Sequence, residues 1–212
     1  MLKPLKKLFG RGMARDGGRI TVVSGLPRSG TSLMMQMLEA GGIPPLTDHE
    51  RESDADNPKG YYEFQRVKKL DQGDTAWLVQ AQGKAVKVVS ALLARLPPGY
   101  DYQVLFMRRR LEEVLASQEK MLDRLGGEKD IDDDEMEQLY RKHLRETQEW
   151  LKNRSYVRYI EVDFNTLVTD PGPVVDRVVS FLGADLDEEA MISVVDPDLY
   201  RNRGGPNGSP SA

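Results

Sequence analysis

The sequence predicts an α/β fold, a P-loop-containing three-layer sandwich with a central parallel sheet flanked by helices. Three observations predict it. Four short runs, 19–25, 84–90, 102–107 and 156–162, are rich in apolar and β-branched residues and read as strands. Segments with helical spacing of apolar residues lie between them, and strands alternating with helices argue for a parallel sheet covered on both faces. The first strand runs into a Gly/Pro/Ser loop and then a helix, in the stretch ITVVSGLPRSGTSLMMQMLEAGG at 20–42. That order is how a phosphate-binding loop is built. Ligands of such sheets bind at the carboxyl ends of the strands.

Helices are expected over 30–40, 65–80, 111–125, 134–153 and 173–182. Asp132, Asp133 and Asp134 stand where a helix N-terminus favours negative charge. Asp170-Pro171 precedes the run GPVVDRVVSFLG, and Gly183 supplies its C-cap. No internal repeat is present. The chain divides into a basic N-terminal tail (1–18), one domain (19–203) and a flexible C-terminal tail (204–212) of linker composition.

The bulk numbers agree with one domain. At 212 residues the chain is long enough to bury a proper core. Hydrophobic residues make up 39% and charged residues 30%, and the net charge of −4 offers no basic field to draw in nucleic acid. The absence of cysteine excludes disulfides, thiolate metal sites and cysteine nucleophiles, and fits the reducing cytoplasm. No apolar run approaches the roughly 20 residues of a membrane span. Leu2, Leu5, Leu8 and Phe9 interleave with Lys3, Lys6, Lys7 and Arg11. This reads as a frayed basic tail, with weak peripheral contact to an anionic membrane surface as the alternative. Oligomeric state is not legible.

In the loop, Gly25, Gly30, Thr31 and Ser32 nearly fit the Gly-x4-Gly-Lys-[Ser/Thr] pattern, but Thr31 stands where a nucleotide hydrolase carries its lysine. Hydrolase or kinase chemistry is therefore the weaker reading. An anion cradle remains. The backbone N–H groups of Ser29, Gly30, Thr31 and Ser32 are expected to point into it, backed by the positive end of the helix. Arg28 adds a fixed charge and a bidentate fork for phosphate or sulfate oxygens.

Pro27-Arg28-Ser29-Gly30-Thr31-Ser32, after a hydrophobic strand, resembles the 5′-phosphosulfate loop of sulfotransferases. The Pro-Arg form is similar to that of tyrosylprotein sulfotransferases and many bacterial relatives. A second element supports the resemblance: in VLFMRRRLEEVLASQEKML (104–122), Arg109 and Ser117 stand eight positions apart with Glu113-Val114 between them. That pattern resembles the family's 3′-phosphate site. It is physically reasonable by itself, since an arginine leaving a strand and a serine about two turns into the next helix can face one phosphate.

The resemblance implies use of 3′-phosphoadenosine-5′-phosphosulfate (PAPS), with 3′-phosphoadenosine-5′-phosphate (PAP) as product. It implies in-line sulfuryl transfer to a hydroxyl acceptor, without a metal. In KAVKVVSALL, Lys87 falls on the lysine of the family's Lys-Thr-His, and Val89 falls on its histidine. The usual base is therefore missing. The Glu-Glu-Thr-Arg segment of the tyrosylprotein enzymes falls on Asp48-His49-Glu50-Arg51, which implies His49 or Glu50 as base. Glu63, in NPKGYYEF, is a further candidate. Lys87 and Arg28 are the other catalytic candidates. Arg201 and Arg203, in YRNRGG, are expected at the 3′-phosphate with Tyr200 stacking, although Asn202 stands where the family has lysine. His143 reads as part of a solvated helix face, and the acidic run 128–135 as a helix entry lacking EF-hand spacing. The acceptor pocket is expected along 43–80, with Tyr61, Tyr62, Phe64 and Trp77 as lining. Sugar, phenol, lipid headgroup and peptide tyrosine all remain open. The rival readings are a non-catalytic PAP/PAPS-binding module and, behind it, a P-loop nucleotide kinase.

Overall fold

A computed structural model of the chain describes residues 18–48, 60–125 and 131–196. The elements run β1 (Ile20–Gly25), α1 (Thr31–Ala40), a 3-10 helix (Gln65–Gln72), α2 (Leu78–Ala81), β2 (Ala85–Val89), α3 (Ser90–Leu93), β3 (Tyr102–Arg108), α4 (Leu111–Leu125), α5 (Asp133–Lys152), β4 (Val157–Asp163), α6 (Phe164–Thr169), α7 (Pro171–Leu182) and α8 (Glu188–Ser193). The four strands form one parallel sheet in the order β2-β1-β3-β4. The expected α/β architecture is the observed one.

The strands are apolar along their length because both faces are covered. Val22, Val86, Val88, Val104 and Phe106 point to one face, where Trp77, Leu93 and the α5 residues Leu144 and Leu151 pack on them. Val23, Leu105 and Val162 point to the other, against Met34, Met37 and Leu38 of α1 and Val174, Val175 and Val178 of α7. The outer edge of β2 is covered by the chain at 44–46: Ala85 N–H donates to Pro44 O, and Leu46 N–H to Ala85 O. That bridge covers the start of the β2 edge.

Helix ends follow the local chemistry. Asp132, Asp163 and Asp187 each accept a bond from the backbone N–H three residues on, which makes them N-caps of α5, α6 and α8. Pro171 opens α7, and Gly183 closes it at φ 63°. Two expectations are corrected. The helix expected over 65–80 is a 3-10 helix and a four-residue α2, separated at Gly73 (φ 85°), which ends the first piece. The strand expected over 84–90 stops at Val89, because Ser90 already begins α3.

The register brings the carboxyl ends of three strands level. Gly25, the last residue of β1, pairs with Val89 of β2 and Met107 of β3. The residues that follow β1, β2 and β3 therefore converge at one end of the sheet.

Candidate functional site

The loop between β1 and α1 is shaped by two glycines. A Cβ on Gly25 (φ 153°) would lie 2.8 Å from Met107 O and 2.5 Å from Ser29 Oγ. Gly30 (φ 94°) lies against the Phe164 ring, which a Cβ there would enter. Gly30→Ala thus combines a left-handed backbone with overpacking. We expect it to lower unfolding stability by about 2–5 kcal/mol, read from a urea melt.

Gly30 is also the N-cap of α1 and brings no capping side chain. No N-cap side chain therefore competes for the first amides of α1, and a helix N-terminus of this kind favours negative charge. Ser29 departs from the expected cradle: its N–H (3.2 Å) and its Oγ (2.7 Å) both donate to Leu26 O, so it holds the turn closed. Arg28 adopts a left-handed backbone (φ 68°). Non-glycine residues in that region carry strain of about 1–3 kcal/mol and cluster at ligand sites.

Three further elements meet this loop. From α4, Ser117, 2% exposed, accepts from Arg28 Nε at 2.9 Å. From β2, the Lys87 ammonium donates to Ser32 Oγ at 3.1 Å and to Tyr61 O at 2.7 Å, and stands 5.8 Å from the Tyr61 ring centroid. From the end of β3, Arg109 donates through Nη1 to Arg28 O at 3.0 Å and through Nε to Glu113 Oε2 at 2.9 Å. Its guanidinium stacks 4.6 Å from the Phe164 centroid. The fold therefore brings together Arg28, Thr31, Ser32, Lys87, Arg109 and Ser117, residues that span 90 positions of sequence.

Arg109 is held more tightly than its motif implied. Its side chain is 8% exposed and that of Glu113 only 1%. Glu113 also accepts from Asn165 Nδ2 at 2.9 and 3.1 Å. Asn165 and Phe164 open α6, directly after β4. This brace between α4, the loop and α6 could not be read from the sequence, because nothing local marks Phe164-Asn165 as neighbours of residue 30.

The segment at 60–65 forms the next wall. Tyr61 is 6% exposed. Tyr62 takes a left-handed backbone (φ 52°), and its Oη donates to Glu39 Oε2 at 2.5 Å. Burial and the adjacent Glu39 carboxylate push the Tyr62 phenol well above its usual range. Glu63 O accepts from Thr47 Oγ1 at 2.8 Å, and the Glu63 carboxylate lies 3.1 Å from Lys68 Nζ. Trp77 is corrected: it is fully buried in the core with Phe64 edge-on at 5.6 Å and its indole N–H on Asp74 O, so it lines no pocket.

His143 is corrected as well. It is half-buried rather than on a solvated face, and its Nε2 lies 2.8 Å from Oγ of Ser90, which is 3% exposed. A clue lay in the pattern His143-Leu144-Thr147-Leu151, a helical stripe whose last three members are buried. His49, Glu50, Tyr200, Arg201 and Arg203, and both tails, lie outside the described residues. Among the described residues, no group of three or more His, Asp or Glu is placed to hold a metal, and no helix is long and apolar enough to cross a membrane.

No family model matches the sequence, and no curated protein matches it. Solved structures do match the fold. One is the sulfotransferase domain from the Synechococcus PCC 7002 olefin synthase, at a TM-score of 0.58 and 19% identity, covering 95% of this chain and 86% of that one. Another is the sulfotransferase domain from the curacin biosynthetic pathway, at a TM-score of 0.54 and 18% identity, covering 89% of this chain and 81% of that one. The chain has a sulfotransferase-like fold.

Proposed function

We propose that the protein transfers a sulfuryl group from PAPS to a hydroxyl acceptor. The observation that carries this reading is the Arg28 Nε–Ser117 Oγ bond of 2.9 Å, which joins the loop to the helix after β3. Two anion elements that are 89 residues apart in sequence are thus side by side. A nucleotide that carries both a 5′-phosphosulfate and a 3′-phosphate can span two such neighbouring elements. The α1 amides and Arg28 hold the 5′-phosphosulfate, and Ser117 with Arg109 receives the 3′-phosphate. Lys87 supplies positive charge where the bridging oxygen becomes a leaving group. The sulfotransferase-like fold supports the same reading.

In the transfer, the acceptor oxygen attacks sulfur in line and PAP leaves. Catalysis of this kind is mainly positioning and charge stabilisation. The test is calorimetric titration with PAP beside ADP and beside ATP with magnesium. PAP is expected to bind and to raise apparent stability by about 2.7 kcal/mol at a hundredfold excess over Kd, seen as a higher melting temperature. A response to ATP or ADP with none to PAP overturns the reading in favour of a kinase. PAP binding with no turnover on any acceptor would leave a nucleotide-binding module.

A further inference from the structure

Resting on the sulfuryl-transfer reading above, we propose that His143 is the base that takes the acceptor proton, with Ser90 fixing its ring. The position comes from two contacts. Ser90 is the first residue after β2, three positions beyond Lys87, and the residue before it, Val89, pairs with Gly25 at the start of the loop. One turn earlier on α5, Tyr140 Oη donates to Gln118 Oε1 at 2.6 Å, and Gln118 adjoins the Ser117 that holds Arg28. The stripe of α5 carrying Tyr140 and His143 therefore bridges the end of β2 and the turn of α4 that meets the loop. Val89, which falls on the histidine of the family's Lys-Thr-His, is 36% exposed at this same strand end. A histidine from α5 instead meets the next residue, Ser90.

The protonation pattern follows from the neighbours. Thr147 Oγ1 donates its one proton to His143 O at 2.8 Å, so towards Nε2, 3.4 Å away, it can only accept. This favours the tautomer with N–H on Nε2, directed chiefly at Ser90 Oγ. The lone pair then sits on Nδ1, which no described residue bonds. Burial lowers the ring's proton affinity below its ordinary value, and the Glu146 carboxylate on the same helix opposes that more weakly. From α3 the ring meets the neutral Ser90, and from α4 its stripe meets the neutral Gln118. The lowered proton affinity favours the neutral ring, the form that can accept a proton.

The step balances. The acceptor O–H gives its proton to Nδ1 as its oxygen bonds to sulfur. The bond from sulfur to the 5′-phosphate oxygen breaks, its electron pair stays on PAP, and the imidazolium later returns the proton to solvent.

The experiment measures PAP release from PAPS, with water and with a panel of phenol, monosaccharide and alkyl alcohol acceptors, alongside PAP calorimetry. His143→Gln keeps an amide N–H for Ser90 but cannot act as the base. It is expected to bind PAP within about twofold of the parent and to lose at least about 100-fold in turnover. His143→Ala is expected to regain part of that turnover when imidazole is added. Full turnover in His143→Gln overturns the proposal and reduces the contact with Ser90 to a structural pin. Nitrogen-15 spectra of the ring give an independent reading, since the chain has 2 histidines and the Gln variant assigns the signals. A proton on Nδ1 in the folded protein at pH 7 overturns the proposal as well. Failure of the underlying reading is separate: it appears as parent protein that does not bind PAP.

Discussion

Lys87→Ala is expected to abolish sulfuryl transfer while PAP binding survives. The ammonium reaches Ser32 Oγ at 3.1 Å and Tyr61 O at 2.7 Å, so it lies between the start of α1 and the 60–65 wall. Charge builds on the bridging oxygen only as the sulfur–oxygen bond breaks. A cation aimed there acts on the transition state more than on the bound nucleotide. Removing one such donor typically costs about 10²–10³-fold in turnover. PAP affinity, measured by calorimetry, is expected to stay within a few-fold because Arg28, Ser117 and the α1 amides are untouched. Lys87→Arg tests placement as well as charge, since a planar fork cannot reproduce a point charge between two oxygens. Normal turnover in Lys87→Ala removes this residue from the chemistry.

Glu113→Ala is expected to cause a large loss of stability. It removes the carboxylate that faces Arg109 Nε at 2.9 Å and Asn165 Nδ2 at 2.9 Å, in a site where the Glu113 side chain is 1% exposed. Deleting one partner of a buried pair leaves the other charge uncompensated, which costs about 3–5 kcal/mol. A urea melt reads the loss directly, as a lower midpoint at unchanged slope. The variant should also weaken PAP binding, because Arg109 props the Arg28 carbonyl and would no longer be oriented. Its readout is distinct from that of Lys87→Ala: stability and affinity fall together here, whereas only turnover falls there.

Both variants bear on how much was legible in advance. The four strands, their parallel pairing and the ends of α7 with the start of α5 follow from local signals, whereas α3, α6 and α8 do not. Continuous apolar runs mean burial on both faces, and aspartates, Pro171 and Gly183 mark ends because their backbone preferences act within one turn. The 3-10 piece at 65–72 departs from the expected helix, since apolar spacing alone does not distinguish it from an α-helix and Gly73 then breaks it. His143 departs from expectation for a different reason. Its sequence neighbours are charged, but burial of a helix stripe depends on what packs against it, and here that is α3.

By itself the sequence determined that a strand, a glycine-bearing turn and a helix follow one another at 20–40, and that an arginine and a serine stand eight positions apart after β3. These are properties of short segments, governed by torsion preferences and periodicity. Only the tertiary structure decided that Arg28 bonds Ser117, that Arg109 is locked to Glu113 and Asn165, that Lys87 meets Tyr61, and that His143 meets Ser90. Each of the links to Ser117, Asn165, Tyr61 and Ser90 joins residues at least 26 positions apart. Such contacts are set by sheet register and by which helix covers which face, and no local signal in the chain encodes either.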